Sequence, residues 1–142
     1  MELKNKVAMI TGASKGIGRK LAIELAKAGV HVAISARSEN LLKGLAKEIS
    51  DLDSEAFYYA GDMSIEKDIK NFMDETIGRF HRLDILINNA GLGHFHNVID
   101  LPTEKWDDMF DLNVRGLFIL TREALPYLRK AKESFIVNVA SL

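Results

Sequence analysis

Short apolar runs alternate along this chain with stretches in which apolar residues recur every three or four positions. Residues 7–10 (VAMI) read as a short buried strand running into Thr-Gly. Ile17, Leu21, Leu25 and Ala28 follow at helical spacing, with Gly29 as a C-terminal stop. Residues 30–36 (VHVAISA) are a second strand, after which Ser38 is placed to cap a helix with Leu42, Leu45, Ala46 and Ile49 on its apolar face. Residues 56–60 (AFYYA) are a third strand. Ser64 is placed to cap the next helix, whose buried stripe is Ile65, Ile69, Phe72, Met73, Thr76, Ile77 and Phe80. Residues 83–91 (LDILINNAG) are a fourth strand. Thr103 is placed to cap a long helix that runs to about Lys130, with Trp106, Met109, Phe110, Val114 and Leu117 on its buried side. Pro126 is expected to kink that helix or divide it. Residues 135–140 (FIVNVA) are a fifth strand, delivering Ser141 at its end.

The strands are rich in Val and Ile and do not alternate with polar residues, which predicts burial on both faces and a parallel sheet covered by helices. Right-handed crossovers then favour an α/β, Rossmann-type doubly wound sheet of five strands in the order 3-2-1-4-5, in three α/β/α layers. No linker or repeat marks a second domain, so residues 1–142 are expected to form one unit.

Composition adds exclusions. A formal net charge of -1 offers no field to draw in nucleic acid or an anionic membrane. The chain has no cysteine, which rules out disulfides and thiolate metal sites. Its first apolar run is too short for a signal peptide or a spanning helix, so a cytoplasmic location is expected. His94 and His96 alternate in a loop, but two histidines without a third ligand do not make a metal site, and none is assigned.

The chemistry starts at TGASKGIG. Gly12, Gly16 and Gly18 lie between the first strand and the first helix, where missing Cβ atoms let a ligand approach the backbone. The helix that follows presents unpaired N–H groups and the positive end of its dipole, which suits a pyrophosphate. No Gly-Lys-Ser/Thr ending follows, so a dinucleotide fits better than a triphosphate. The tip of the second strand reads SARS. Ala36 is not acidic, Arg37 comes next, and Lys15 sits in the glycine loop. Two cations and no carboxylate favour a 2′-phosphate and hence NADP(H). Either cation can also be an ordinary solvated surface charge.

TGASKGIG, the GD after the third strand, NNAG at the end of the fourth, the asparagine of DLNVRG and IVNVAS at the end of the fifth occur in that order. The set resembles the short-chain dehydrogenase/reductase family, nearest to the 3-oxoacyl-acyl-carrier-protein reductase type, over residues 4–142. The resemblance implies that Gly12, Ser14, Lys15, Gly16, Ile17 and Gly18 hold the pyrophosphate and adenosine end, and that Arg37 selects the 2′-phosphate. It implies that Asp62 and Met63 line the adenine pocket, that Asn89, Ala90 and Gly91 pass beside the ribose, and that Asn88 ties strands together. Asn113 becomes the family's helix asparagine, supporting a water chain through the carbonyl of a kinked helix, and Ser141 the serine that orients substrate. Read from the residues alone, Asp62 fits a turn equally well, and Asn113 fits a core amide bonded to nearby backbone.

The implied reaction is NADPH-dependent reduction of a ketone or 3-oxoacyl thioester to the alcohol, in a homo-dimer or homo-tetramer. The family's proton donor is a tyrosine with a lysine one helical turn later, downstream of the serine. None of Tyr58, Tyr59 and Tyr127 has a lysine four positions on. The chain is therefore expected to lack the second half of the catalytic set, and to show little activity by itself. It is expected to be the N-terminal part of a longer reductase, ending before the tyrosine and lysine; the alternatives are a nucleotide-binding module or fragment without turnover and a flavodoxin-like domain that binds a mononucleotide.

Overall fold

A computed structural model describes residues 2–141. Five parallel strands, β1 (Val7–Thr11), β2 (His31–Ala36), β3 (Ala56–Ala60), β4 (Ile85–Asn88) and β5 (Phe135–Asn138), form one sheet in the order β3-β2-β1-β4-β5. Neighbours are in direct register, for example Met9 beside Ala33 and Leu86, and Ile87 beside Val137. The expected strand order holds.

Side chains still alternate across the sheet, although both faces are apolar. Ala8, Ile10, Val32, Ile34, Ile85 and Ile87 pack on one face with α1 (Gly16–Lys27) and α2 (Glu39–Ser50). Val7, Met9, Ala33 and Leu86 pack on the other, with Ile69, Phe72 and Met73 of α3 (Glu66–Phe80) and Ile119, Leu120 and Ala124 of α5 (Leu117–Leu128). The three-layer reading follows from these two cores.

Several local expectations need correction. The buried face of α1 is Gly18, Ala22, Ile23 and Ala26, one residue round from the stripe expected, and Ile17 is exposed. α3 begins at Glu66 rather than beside Ser64, and Ile65 is exposed. Ser64 instead donates its hydroxyl to Asp62. Ser38 does precede α2, but it makes no side-chain cap bond. The long helix starts at Thr103 after Pro102, again without a side-chain cap. It runs as α4 (Thr103–Phe110), a π-helical turn (Asp111–Gly116) and α5. The irregularity is thus the π turn, whereas Pro126 lies inside the last turn of α5, where its missing N–H removes one bond near the helix end. Trp106, Phe110 and Val114 are exposed rather than buried, and Trp106 stacks on Phe110 with ring centroids 4.5 Å apart. Periodicity identified their common face, but no layer covers it. Phe135, Ile136, Val137 and Val139 along β5 are exposed for the same reason.

One ionic element fixes the opposite end of the sheet. The buried Asp84 accepts from the Val7 N–H (2.9 Å) and from both Arg82 Nε (2.9 Å) and Arg82 Nη2 (2.7 Å). Burial alone would raise its carboxyl pKa. The hydrogen bonds from Arg82 and Val7, with the charges of Arg82 and Lys6, outweigh that and hold it below the ordinary carboxylate range.

Candidate functional site

The C-terminal ends of β1 to β4 converge on an open groove of about 390 Å³, within the usual size range of small-molecule sites. This is where a doubly wound sheet places its ligand, because the connections after β1 and β4 leave in opposite directions. Each strand tip is tied to its neighbour. The Ala13 N–H donates to the Ser35 carbonyl (3.0 Å), and the Gly61 N–H to the Ala36 carbonyl (3.0 Å).

The glycine turn is held from β4. Asn89 Nδ2 donates to the carbonyls of Thr11 and Gly12, at 3.1 Å each. The Thr11 hydroxyl oxygen accepts from the N–H groups of Asn89 (3.1 Å) and Ala90 (2.9 Å). Gly12 has φ +65°, and a Cβ there would stand 2.9 Å from Ala90 Cα. On Gly18 a Cβ would stand 2.5 Å from both Asn89 Nδ2 and the Gly12 carbonyl oxygen. These two glycines therefore allow the turn to nest against residues 89–90. The leading amides of α1 meet no side-chain cap and no acidic residue in the first turn. They are available to an anion.

Gly12, Ser14, Lys15, Arg37, Asp62, Met63, Asn89, Ala90 and Gly91, all named from sequence, line this one groove. Lys15 and Arg37 are exposed and enter no ion pair among the described residues, so both remain free for an anionic ligand. Gly16, Ile17 and Gly18 do not line the groove; they form the start of α1 beside it. The donor set fits a dinucleotide phosphate: uncapped amides, a Cβ-free approach and two unpaired cations on the same rim.

The expected catalytic residues stand apart from that set. Asn113 lies in the π turn and is exposed, so its expected burial is corrected. It makes a reciprocal pair with the Leu92 backbone, accepting the N–H at 2.9 Å and donating to the carbonyl at 2.8 Å. Leu92 lines the groove, so Asn113 holds the wall without forming it. Ser141 lies three residues past β5 and is exposed; it does not line the groove. Asn88 ties strands as expected, donating through Nδ2 to Asn138 Oδ1 (2.9 Å) and to the Thr121 hydroxyl (3.2 Å).

Sequence reasoning missed four contributors. The Thr11 hydroxyl acts across the β1–β4 pairing, 78 residues away in sequence, and so leaves no local signal. Leu112 and Leu92 close the groove from the π turn and the loop after β4, and apolar loop residues carry no signal of their own. Gly116 lets the π turn approach the site loop: a Cβ there would meet the Met63 carbonyl oxygen at 2.0 Å. A helical glycine opposite a site loop was the available clue.

The profile of the family described as short chain dehydrogenase matches residues 6–142. An uncharacterized oxidoreductase of Thermotoga maritima is 38% identical over 141 residues, covering 99% of this chain and 55% of the relative. A 3-oxoacyl-[acyl-carrier-protein] reductase of Staphylococcus epidermidis is 31% identical over 139 residues, covering 97% of this chain and 57% of the relative. Among solved structures, a metagenomic short-chain oxidoreductase in complex with NADP superposes with a TM-score of 0.93 at 33% identity, covering 100% of this chain and 65% of that one. The chain thus spans little more than half the length of the curated relatives it matches.

Proposed function

The chain belongs to the short-chain dehydrogenase family, and from that premise we propose that it binds NADP(H) at the strand tips for the reduction of a ketone or 3-oxoacyl thioester to the alcohol. The carrying observation is the rim of the groove, where the uncapped start of α1 meets unpaired Lys15 and Arg37 and no carboxylate ends β2. In this reading residues 12–18 take the pyrophosphate and adenosine end, Arg37 the 2′-phosphate, Asp62 and Met63 the adenine, and Asn89, Ala90 and Gly91 the ribose. A bound nicotinamide supplies hydride to the carbonyl carbon.

The carbonyl oxygen needs a proton from a positioned acid. Tyr58 and Tyr59 lie in β3, and Tyr127 lies in α5 beside His81, Arg82 and Lys130, near the start of β4; none lines the groove. Ser141 and Asn113 remain the assignments for orienting substrate and supporting the site. A polypeptide of these 142 residues is expected to bind cofactor, with turnover lower by roughly 10²–10⁴ than with a general acid in place. That none of these three tyrosines lines the groove is what favours the second reading, a nucleotide-binding module without turnover. The proposed setting is the cytoplasm. The exposed apolar face of α4 and α5 supports two or four copies per assembly, which sedimentation would read.

Titration with NADPH, NADH and FMN tests the reading. NADPH is expected to bind most tightly, and Arg37→Asp to weaken NADPH about tenfold or more while leaving NADH nearly unchanged. Equal loss of both removes Arg37 as the phosphate reader, and a preference for FMN removes the dinucleotide.

A further inference from the structure

The turn that carries Asp62 and Met63 into the groove is held from behind by a residue outside it. Asp68 lies in the first turn of α3, where a carboxylate is favoured by the helix dipole. Its Oδ2 accepts the Asp62 N–H at 2.8 Å, and its Oδ1 accepts the Tyr59 hydroxyl at 3.3 Å. The Tyr59 oxygen in turn accepts from Asn71 Nδ2 at 3.4 Å. Gly61 makes room for this: a Cβ there would stand 2.4 Å from Tyr59 Cε1 and 3.1 Å from Asp68 Oδ2. Tyr59 is itself anchored by stacking on the buried Phe72, with centroids 5.8 Å apart. Asp62 spends only Oδ1 on the turn, accepting from the Ser64 N–H (2.9 Å) and hydroxyl (2.7 Å). Its Oδ2 takes no bond among the described residues, while Asp62 lines the groove.

We propose that Asp68 is a positioning residue for nucleotide affinity: it fixes the Asp62 backbone so that the second carboxylate oxygen of Asp62 is presented to the base of an adenine nucleotide. Tyr59 and Asn71 form the brace behind it. Burial, followed by the Asp68 charge, raises the Tyr59 pKa against the lowering effect of Asn71, so the phenol stays protonated and donates to Asp68. The inference rests on the nucleotide reading above.

The test uses calorimetric titration with 2′,5′-ADP, together with amide NMR of the same samples. Asp68→Ala removes both acceptors and should weaken 2′,5′-ADP about tenfold. Asp68→Asn keeps an oxygen for the Asp62 N–H and should restore most of that affinity. In the unaltered chain the Asp62 amide proton should resonate downfield, as a hydrogen-bonded amide does. In Asp68→Ala it should move upfield toward the position of a free amide, while the β1 and β2 amides stay in place. Tyr59→Phe keeps the ring on Phe72 and should give a smaller loss. If the unaltered chain ignores 2′,5′-ADP, the nucleotide reading falls and this inference with it. If it binds but Asp68→Ala binds equally well, or Asp68→Asn is as damaging as Asp68→Ala, this inference alone is overturned.

Discussion

β1 and β5 are short apolar strands of the same sheet, one beside β2 and β4 and the other at the edge, yet every residue of β1 is buried and every residue of β5 is exposed. The difference is not in pairing: β5 is fully registered on β4, and the Val139 N–H still reaches the Asn88 carbonyl at 3.0 Å. It lies in what covers them. β1 has a helix layer on each face, whereas β5 and the outward side of α4 and α5 carry Val137, Phe110 and Phe118 into solvent. The site divides along the same line. Apart from Leu112 of the π turn and Leu41 of α2, the groove residues hang from the covered strands β1 to β4 and from the loops after them. Ser141, proposed to orient substrate, and Asn113, proposed to support the site, come from the uncovered side. Hydrophobic content therefore specified a strand in both places, but a settled environment in only one.

The most direct way to break this comparison is to remove buried volume from the covered half. Met9 is fully buried among Phe72, Leu86 and Leu120, so Met9→Ala leaves a cavity and should cost about 3 kcal/mol. Denaturant unfolding reads this as a lower midpoint at unchanged slope. A loss below about 1 kcal/mol would mean that the covered half is no better packed than the open one.

Asp84→Asn should cost somewhat less, about 2 kcal/mol near neutrality, because the amide keeps an acceptor but loses the paired charge under Val7 and Arg82. The sign of its pH dependence follows from a folded-state pKa held below the unfolded one. The carboxylate's contribution is present above the unfolded value of about 4 and is lost as pH falls through the folded value. The gap between the parent and Asp84→Asn should accordingly narrow in acid. A gap that widens on acidification would show that Asp84 is not held ionised by its partners.

Gly116→Ala probes the seam between the halves. Alanine in a helix gains up to about 1 kcal/mol over glycine. Here the new methyl would meet the Met63 carbonyl oxygen at 2.0 Å, and overpacking of that kind costs about 1–3 kcal/mol. The clash wins, for a net loss of about 1–2 kcal/mol. Because Met63 lines the groove, nucleotide affinity should fall along with stability. Stability lost without any change in affinity would separate the seam from the site.

The same divide marks how far the sequence was legible. Strand order followed from four crossovers of one hand, and the groove followed from glycines and cations placed at strand tips, because both signals are local. Ser64 bonding Asp62 instead of capping α3, and the π turn around Asn113, depend on one-residue shifts that a periodic pattern does not resolve. The Thr11 hydroxyl under Asn89, the buried Asp84 and the brace from Asp68 depend on pairs that meet only after the sheet forms. The exposed stripe of Trp106, Phe110 and Val114 shows a further boundary: an amphipathic pattern names a face, and what covers that face is decided elsewhere.

The smallest expected effect is the one that sharpens the comparison most. Val137 pairs with Ile87 in register yet is 44% exposed. Val137→Thr keeps the β-branched shape that a strand favours and changes one exposed methyl to a hydroxyl. Little apolar area leaves water on folding at this position, so the change should stay within about 0.5 kcal/mol. The backbone bonds to β4 are untouched, and nucleotide affinity should be unchanged because Val137 does not line the groove. A loss approaching that of Met9→Ala would have one meaning: the β5 face is covered in solution, by chain or by partner, and the exposed half is the buried core of a larger assembly.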